Sequence, residues 1–155
     1  MTQTLLDIKD SLFPEQSRST VYHSFTLDAH CSELIIRFSY TPKALADEAA
    51  TDAMIDEGFA RYILPEDQEA LLPLRQEVKP LVNLVTLSLD GPDGYRGAAH
   101  RHDPEQEHVV RSADSSYGFT DGPMLEGMWR VGVSVHAVVT RPCVYRLTIE
   151  EATSL

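Results

Sequence analysis

The chain of 155 residues carries 13 lysines and arginines against 24 aspartates and glutamates, a formal net charge of −11. This length fits one domain that is large enough to bury a hydrophobic core. The acidic balance argues against nucleic acid and against an anionic membrane as partners, because phosphate binding needs clustered Lys and Arg. We therefore expect the ligand to be a small molecule or another protein.

The sequence favours a cytoplasmic location. Its first residues, MTQTLLDIKDSLF, lack the positively charged start and the continuous apolar run of a signal peptide. No apolar run approaches the roughly 20 residues that a membrane span requires. Two cysteines are too few for a disulfide framework, so we expect Cys31 and Cys143 to be buried thiols in a reducing compartment.

Residues 1–19 are expected to form an N-terminal arm outside the main domain. Their apolar residues could form a short helix that ends at Pro14, or an arm that lies on a neighbouring molecule. A single domain is expected over residues 20–151, followed by a C-terminal tail at residues 152–155.

Residues 44–80 are predicted to form a helical insertion between strands. Their apolar residues recur mostly at helical spacing, and their Ala, Asp, Glu and Met content favours helix. Pro65 ends the first helix. We expect this insertion to cover one sheet edge or one end of the domain. The apolar positions that carry the helical period are Leu45, Ala49, Ile55, Phe59 and Ile63.

The rest of the domain alternates apolar and polar residues in short stretches. Turn signals such as the Gly-Pro-Asp-Gly run at residues 91–94 separate these stretches. The pattern predicts an all-β fold, an antiparallel two-sheet β-sandwich or jelly roll. Alternation places ten residues on its inner faces: Phe25, Ile36, Phe38, Val85, Leu87, Trp129, Val131, Val133, Leu147 and Ile149.

Three histidines near the middle of the chain are candidate metal ligands. On an extended strand His100 and His102 would project from one face, and Glu107 or His108 could supply a third ligand. With Gly94, this spacing resembles the opening of the cupin signature, whose later glycine and histidine positions are not reproduced. The alternative is a solvated polar loop whose histidines are surface residues.

Four large side chains near turns are candidate ligand-binding residues. Loops at the end of a sandwich carry recognition, because the scaffold fixes them while their sequence varies freely. We expect the loops of residues 90–108 and 117–122 to form one rim. Its most accessible large side chains are predicted to be Tyr95, Arg96, Arg101 and Tyr117.

Three segments of the second half resemble a known family. Residues 90–97, DGPDGYRG, are similar to a D-x-x-G-[FY]-R-G motif with one extra residue. Residues 116–129 are similar to A-T-P-G-Y-x-x-G-P-x-x-x-G-x-W with substitutions, and VYRLTIE fits a final Y-x-[LV]-x-[IV] strand. Together they resemble the N-terminal β-sandwich module of PHP-type metallohydrolases, over nearly all of residues 20–151. In that family a separate hydrolase domain holds the metal-binding residues, so the resemblance implies an accessory module.

We therefore expect a non-catalytic binding or interaction module that has no cofactor. A small cupin-like metal-dependent enzyme built on the His-x-His pair is the first alternative. A structural module that assembles as a homo-oligomer is the second alternative. Bound metal would separate the enzyme from the other two.

Overall fold

The computed structural model describes residues 1–154. In this part of the chain, eight strands form two four-stranded antiparallel sheets with one hydrophobic core between them. The strands are β1 (Thr2–Leu12), β2 (Ser19–Leu27), β3 (Cys31–Thr41), β4 (Leu84–Gly91), β5 (Gly94–Ala99), β6 (Glu105–Arg111), β7 (Gly127–Ala137) and β8 (Cys143–Thr153). Two α-helices, α1 (Glu48–Tyr62) and α2 (Leu74–Glu77), lie between β3 and β4.

The strand order is that of a jelly roll. The first sheet runs β1-β8-β3-β6 and the second runs β2-β7-β4-β5. Only β4 and β5 are joined as a hairpin within one sheet, and every other connection crosses from one sheet to the other. The predicted antiparallel two-sheet sandwich with a helical insertion is confirmed.

The core lies where the inward faces of the two sheets meet. All ten residues that alternation assigned to the core are buried. Trp129, at the start of β7, is fully buried and donates its indole N–H to the Leu125 carbonyl at 2.9 Å. The alternation of apolar and polar residues therefore predicted the inner faces correctly. A register shift of one residue would have turned the apolar side chains of each strand outward.

The expected N-terminal arm is wrong, because residues 2–12 form an edge strand of the first sheet. β1 pairs antiparallel with β8 from Thr2 opposite Ala152 to Leu12 opposite Cys143. A bulge at Leu5 shifts the register, and this extra residue hides the strand period in the sequence. The sandwich therefore starts before residue 20 and continues beyond residue 151 into the expected C-terminal tail.

The helical insertion is confirmed and lies at one end of the sandwich. Asp47 precedes α1 as its N-cap, and its carboxylate accepts the Ala50 N–H at 2.7 Å. Only Thr51 and Ile55 of this helix are buried. Within residues 1–154, no helix is long and apolar enough to cross a membrane.

Asn83 fastens the base of the insertion to the sandwich. Its fully buried side chain donates to the Pro42 carbonyl and the Thr140 hydroxyl, both at 2.8 Å. The same amide accepts the Val139 N–H at 2.7 Å. This buried amide thus joins three chain segments that meet at this end, and each of its bonds is shielded from water.

Candidate functional site

The outer face of the second sheet combines exposed tyrosines with a floor of small residues. Tyr22, Gly132, Ser88 and Ala98 lie side by side across its four strands. The next row places Ser24, Arg130, Asp90 and Tyr95 side by side in the same way. We call this surface the tyrosine face, defined by Tyr22, Ser88, Tyr95, Arg130 and Gly132.

The Tyr22 ring is held close to the sheet. A Cβ atom at Gly132 would lie 2.5 Å from Ser88 Oγ and 3.2 Å from Tyr22 Cε1, so glycine lets both side chains pack close to the sheet there. The Arg130 guanidinium lies 4.0 Å from the centre of this ring and donates to the Asp90 carboxylate at 3.0 Å. Tyr22 remains 51% exposed, so its ring is oriented by neighbours and still open to a ligand.

Two histidines lie at the other end of the same face. His136 Nε2 is 2.8 Å from the Thr86 hydroxyl, which lies on the neighbouring strand β4. The His100 ring packs edge-on against the His136 ring at 6.4 Å between centroids. Both histidines are exposed. The tyrosine face therefore ends in imidazoles that can donate or accept hydrogen bonds.

A surface depression of about 670 Å³ adjoins this end of the tyrosine face along β5. We call it the β5 depression. Tyr117, at its wall, is 87% exposed. The lining residues are Ala98, Ala99, His100, Arg101, Tyr117, Gly118, Phe119 and Thr120. Ala98 and His100 connect the depression to the face.

The loop of residues 112–126 places Tyr117 by bridging the edges of both sheets. Its Ser116 N–H bonds to the Val109 carbonyl on β6 at 2.8 Å. Two residues on, the Gly118 carbonyl accepts the Ala98 N–H of β5 at 3.0 Å. Gly118 has φ +95°, and a Cβ there would meet the Ala98 carbonyl oxygen at 2.2 Å. The loop thus covers two edge strands that would otherwise expose unpaired backbone groups.

Arg96 is buried, so the expectation that it is an accessible rim residue is wrong. It is only 4% exposed, and its guanidinium lies 5.4 Å over the Trp129 ring. Desolvation lowers the pKa of this guanidinium, although the charges of Asp93 and Asp121 oppose that shift. Arg96 donates to four backbone carbonyls that close the 112–126 loop, those of Arg111, Thr120, Gly122 and Pro123.

The other three predicted binding residues are exposed, but they do not share one rim. Arg101 and Tyr117 line the β5 depression together with His100. Tyr95 is 68% exposed at the opposite end of β5, beside Asp90 on the tyrosine face. The structure therefore brings two of the four predicted residues together in the depression and puts a third on the adjoining face.

The four candidate metal ligands lie in different parts of the structure. β5 ends at Ala99, so His100 and His102 do not belong to the extended strand that the spacing requires. Glu107 faces outward from the first sheet and accepts the Arg37 guanidinium at 2.8 Å. His108 is buried against Phe119, with its Nε2 2.9 Å from Gln106 Oε1. Within residues 1–154, no three His, Cys, Asp or Glu side chains gather in a group that could hold a metal ion.

The two cysteines are free and buried, as predicted. Desolvation raises the pKa of the Cys31 and Cys143 thiols to about 11 in each case. Both therefore remain protonated at neutral pH, which makes them poor nucleophiles and poor metal ligands.

Sequence reasoning missed Tyr22, Arg130 and His136. Alternation along β2 does put Tyr22 on the outer side, in line with Ser24 and Thr26. The pairing of β2 with β7 and of β7 with β4 then brings these residues together. That pairing is a long-range property, and the local pattern of any one strand does not contain it.

No family model matches the chain, and no curated protein matches it.

Proposed function

We propose that the protein is a non-catalytic binding module that recognises a saccharide-like ligand on its tyrosine face. The observation that carries this proposal is the pair of exposed tyrosines, Tyr22 and Tyr95, on the two edge strands of the second sheet, with Gly132 and Ser88 on the two strands between them. The ligand lies flat on this face rather than entering a deep cavity.

The chemistry of the face suits a sugar. A pyranose ring has apolar C–H faces, which pack on aromatic rings, and peripheral hydroxyls, which need hydrogen-bond partners. Arg130 and Asp90 are bonded to each other through Nε, Nη2 and Oδ2, so Arg130 Nη1 and Asp90 Oδ1 are the donor and the acceptor they can offer a ligand between the two tyrosines. Tyr22 and Tyr95 lie on strands three spacings apart, roughly 14 Å, which is longer than one sugar ring. A short oligosaccharide is therefore the ligand class that fits best.

The positions of the candidate metal ligands support binding over catalysis. His108 belongs to the core, while Glu107 is paired with Arg37 on the outer face of the first sheet. A cupin-like reaction would need these groups to converge with His100 and His102 on one ion. The proposed ligand contacts exposed side chains of the second sheet, whereas the Thr86 hydroxyl, which lies 2.8 Å from His136 Nε2, is buried and out of its reach.

The motif residues that resemble the PHP-associated module have packing roles in this fold. Arg96 closes the loop, Gly97 and Gly118 allow it to approach β5, and Trp129 fills the core. These roles support a relation at the level of fold. We therefore include in the proposal that the protein acts as an accessory module beside a separate hydrolase.

Isothermal titration calorimetry with a panel of soluble oligosaccharides tests the proposal. We expect at least one member to bind, and Tyr22→Ala to weaken that binding about tenfold or more through loss of the stacking surface. Tyr62→Ala is the matched control, because Tyr62 is a 69% exposed tyrosine on α1, away from the tyrosine face. Equal losses in both variants, or a panel without any binder, would contradict the proposal.

Association with another protein is a second candidate function. The insertion leaves several large apolar side chains exposed, a feature that is typical of protein interaction sites. They are Tyr62, Leu64, Leu72, Leu74 and Val78. Light scattering over a range of protein concentrations tests whether copies of this chain associate with one another. A monomer at every concentration would contradict self-association.

A further inference from the structure

We propose that the β5 depression binds the anionic group of an acidic sugar, either a carboxylate or a phosphate, while the sugar ring lies on the tyrosine face. This inference rests on the proposed function and specifies its ligand. Its first support is the charge of the depression, which is opposite to that of the protein as a whole.

The β5 depression is lined by a cation in a strongly acidic chain. Although the chain has 24 acidic residues, no carboxylate within residues 1–154 lines this depression, which carries Arg101 and His100 instead. Three other surface depressions each contain at least one carboxylate, such as Glu107, Asp103 and Asp7 respectively. A site without acidic groups in such a chain is suited to an anion.

Arg101 is free to take an anionic ligand. Within residues 1–154, six arginines form ion pairs with carboxylates: Arg37, Arg75, Arg111, Arg130, Arg141 and Arg146. Arg101 has no ion-pair partner among residues 1–154, although Asp103 is close in sequence and lines a different depression. The planar guanidinium can donate two parallel hydrogen bonds to a carboxylate or a phosphate.

The charge of Arg101 also acts on the inner side of the depression. His108 lies behind Phe119, which forms part of the lining. Burial lowers the pKa of His108, and the positive charge of Arg101 lowers it further. His108 is therefore neutral at pH 7, and Arg101 with the exposed His100 and Tyr117 provides the donors that face the ligand.

The depression and the face form one continuous surface. Ala98 lies in the row of Tyr22 and Gly132, and it also lines the depression. His100 lines the depression while its ring packs on His136 at the end of the face. A ligand with its sugar ring over Ser88 and Gly132 would thus place an attached acidic group near Arg101.

The experiment compares three ligand series of matched length by calorimetry: glucose oligosaccharides, the corresponding glucuronate oligosaccharides and the corresponding glucose oligosaccharides that carry a 6-phosphate. Each is titrated into the wild type, Arg101→Gln and the control Arg61→Gln, which alters an exposed arginine on α1. We expect the acidic ligands to bind at least about tenfold more tightly than neutral glucose ligands, and Arg101→Gln to remove that advantage. The glucuronate and phosphate arms identify which anion is preferred.

The outcomes separate this inference from the proposed function. Equal binding of neutral and acidic sugars, unchanged in Arg101→Gln, overturns the acidic ligand and leaves the saccharide face intact. Acetate or inorganic phosphate that shifts the amide resonances of His100 and Tyr117, with no sugar bound, supports the anion site and overturns the saccharide function. Loss of binding in Arg61→Gln as well as Arg101→Gln overturns the assignment to the depression, and so does the absence of any binding. Tyr117→Ala supplies a second variant, since Tyr117 lines the depression and is almost fully exposed.

Discussion

At the scale of single residues, two arginines near one another in the sequence have opposite roles. Arg96 is buried and satisfied by backbone carbonyls, whereas Arg101 is exposed and lines the β5 depression. The sequence shows both as polar residues close to a turn. What distinguishes them is the 112–126 loop, which folds over Arg96 only after distant strands have paired.

Replacing Arg96 by Gln is expected to destabilise the fold by about 3 kcal/mol or more, because several buried carbonyls lose their donor. Arg96→Lys should recover little of this loss, since a lysine cannot present a planar fork of donors to the four carbonyls. Urea denaturation measures both effects. Arg101→Gln is the control and should leave the midpoint unchanged. If the urea midpoint of Arg96→Gln equalled that of Arg101→Gln, the stabilising role of Arg96 in the 112–126 loop would be contradicted.

His108 should make the protein less stable at mildly acidic pH. Burial lowers its pKa in the folded state, while the unfolded imidazole titrates near pH 6.5. As the pH falls below about 6.5, the unfolded state binds a proton first, so the free energy of unfolding decreases down to the folded pKa. His23, whose pKa is lowered chiefly by burial, acts in the same direction.

Urea denaturation at pH 7 and pH 5 checks this effect. The free energy of unfolding should drop between the two values in the wild type. His108→Leu should reduce that drop, with the remainder coming chiefly from His23 and, close to pH 5, to a small extent from carboxyls with a lowered pKa such as that of Asp121. An equal drop in the variant would show that His108 does not contribute.

At the scale of elements, the 112–126 loop depends on glycine where it meets β5. Gly118→Ala should cost about 2 kcal/mol or more, because the new Cβ would sit 2.2 Å from the Ala98 carbonyl oxygen in a left-handed backbone conformation. Gly58→Ala is the matched control, since nothing lies within 4 Å of a Cβ there and the residue is within α1. That change should stabilise the protein by about 0.5–1 kcal/mol. Thermal unfolding of both variants measures the difference, and shifts of the same sign would contradict this account.

β1 is an integral strand, so its removal tests the corrected domain boundary. Deleting residues 1–12 should abolish cooperative unfolding, because β8 loses one of its two partner strands and becomes a sheet edge, and because the core loses Leu12. Circular dichroism during thermal denaturation provides the measurement. A truncated protein with an unchanged melting temperature would restore the interpretation of these residues as an arm.

A strand can be predicted from the sequence when apolar and polar residues alternate regularly along it. Val131, Val133 and Leu147 could be assigned to the core because each strand alternates without interruption. The alternation of β1 is interrupted twice, because the bulge at Leu5 adds a residue and Asp10 occupies an inward position opposite a buried residue of β8. The local sequence shows which side of a strand is apolar only where this alternation is unbroken.

At the scale of the whole molecule, the jelly-roll strand order creates the candidate site. It places β2 and β5, distant in sequence, on opposite sides of β7 and β4. Tyr95, Arg101 and Tyr117 lie near turns, and their exposure confirms the predicted accessibility, while their part in binding stays a prediction. Tyr22 and Arg130 could not be added from the sequence, because their proximity depends on strand register.

The most direct test of the central claim is residue-resolved mapping of a bound oligosaccharide by amide chemical-shift perturbation in the ¹⁵N-labelled protein. We predict that the largest shifts will cluster on the tyrosine face, at Tyr22, Ser88, Tyr95, Arg130 and Gly132. The outer face of the first sheet, marked by Arg37, Glu107 and Arg146, is the internal control and should not respond. Shifts concentrated on that control face, or on the helical insertion, would contradict the assignment of the binding site.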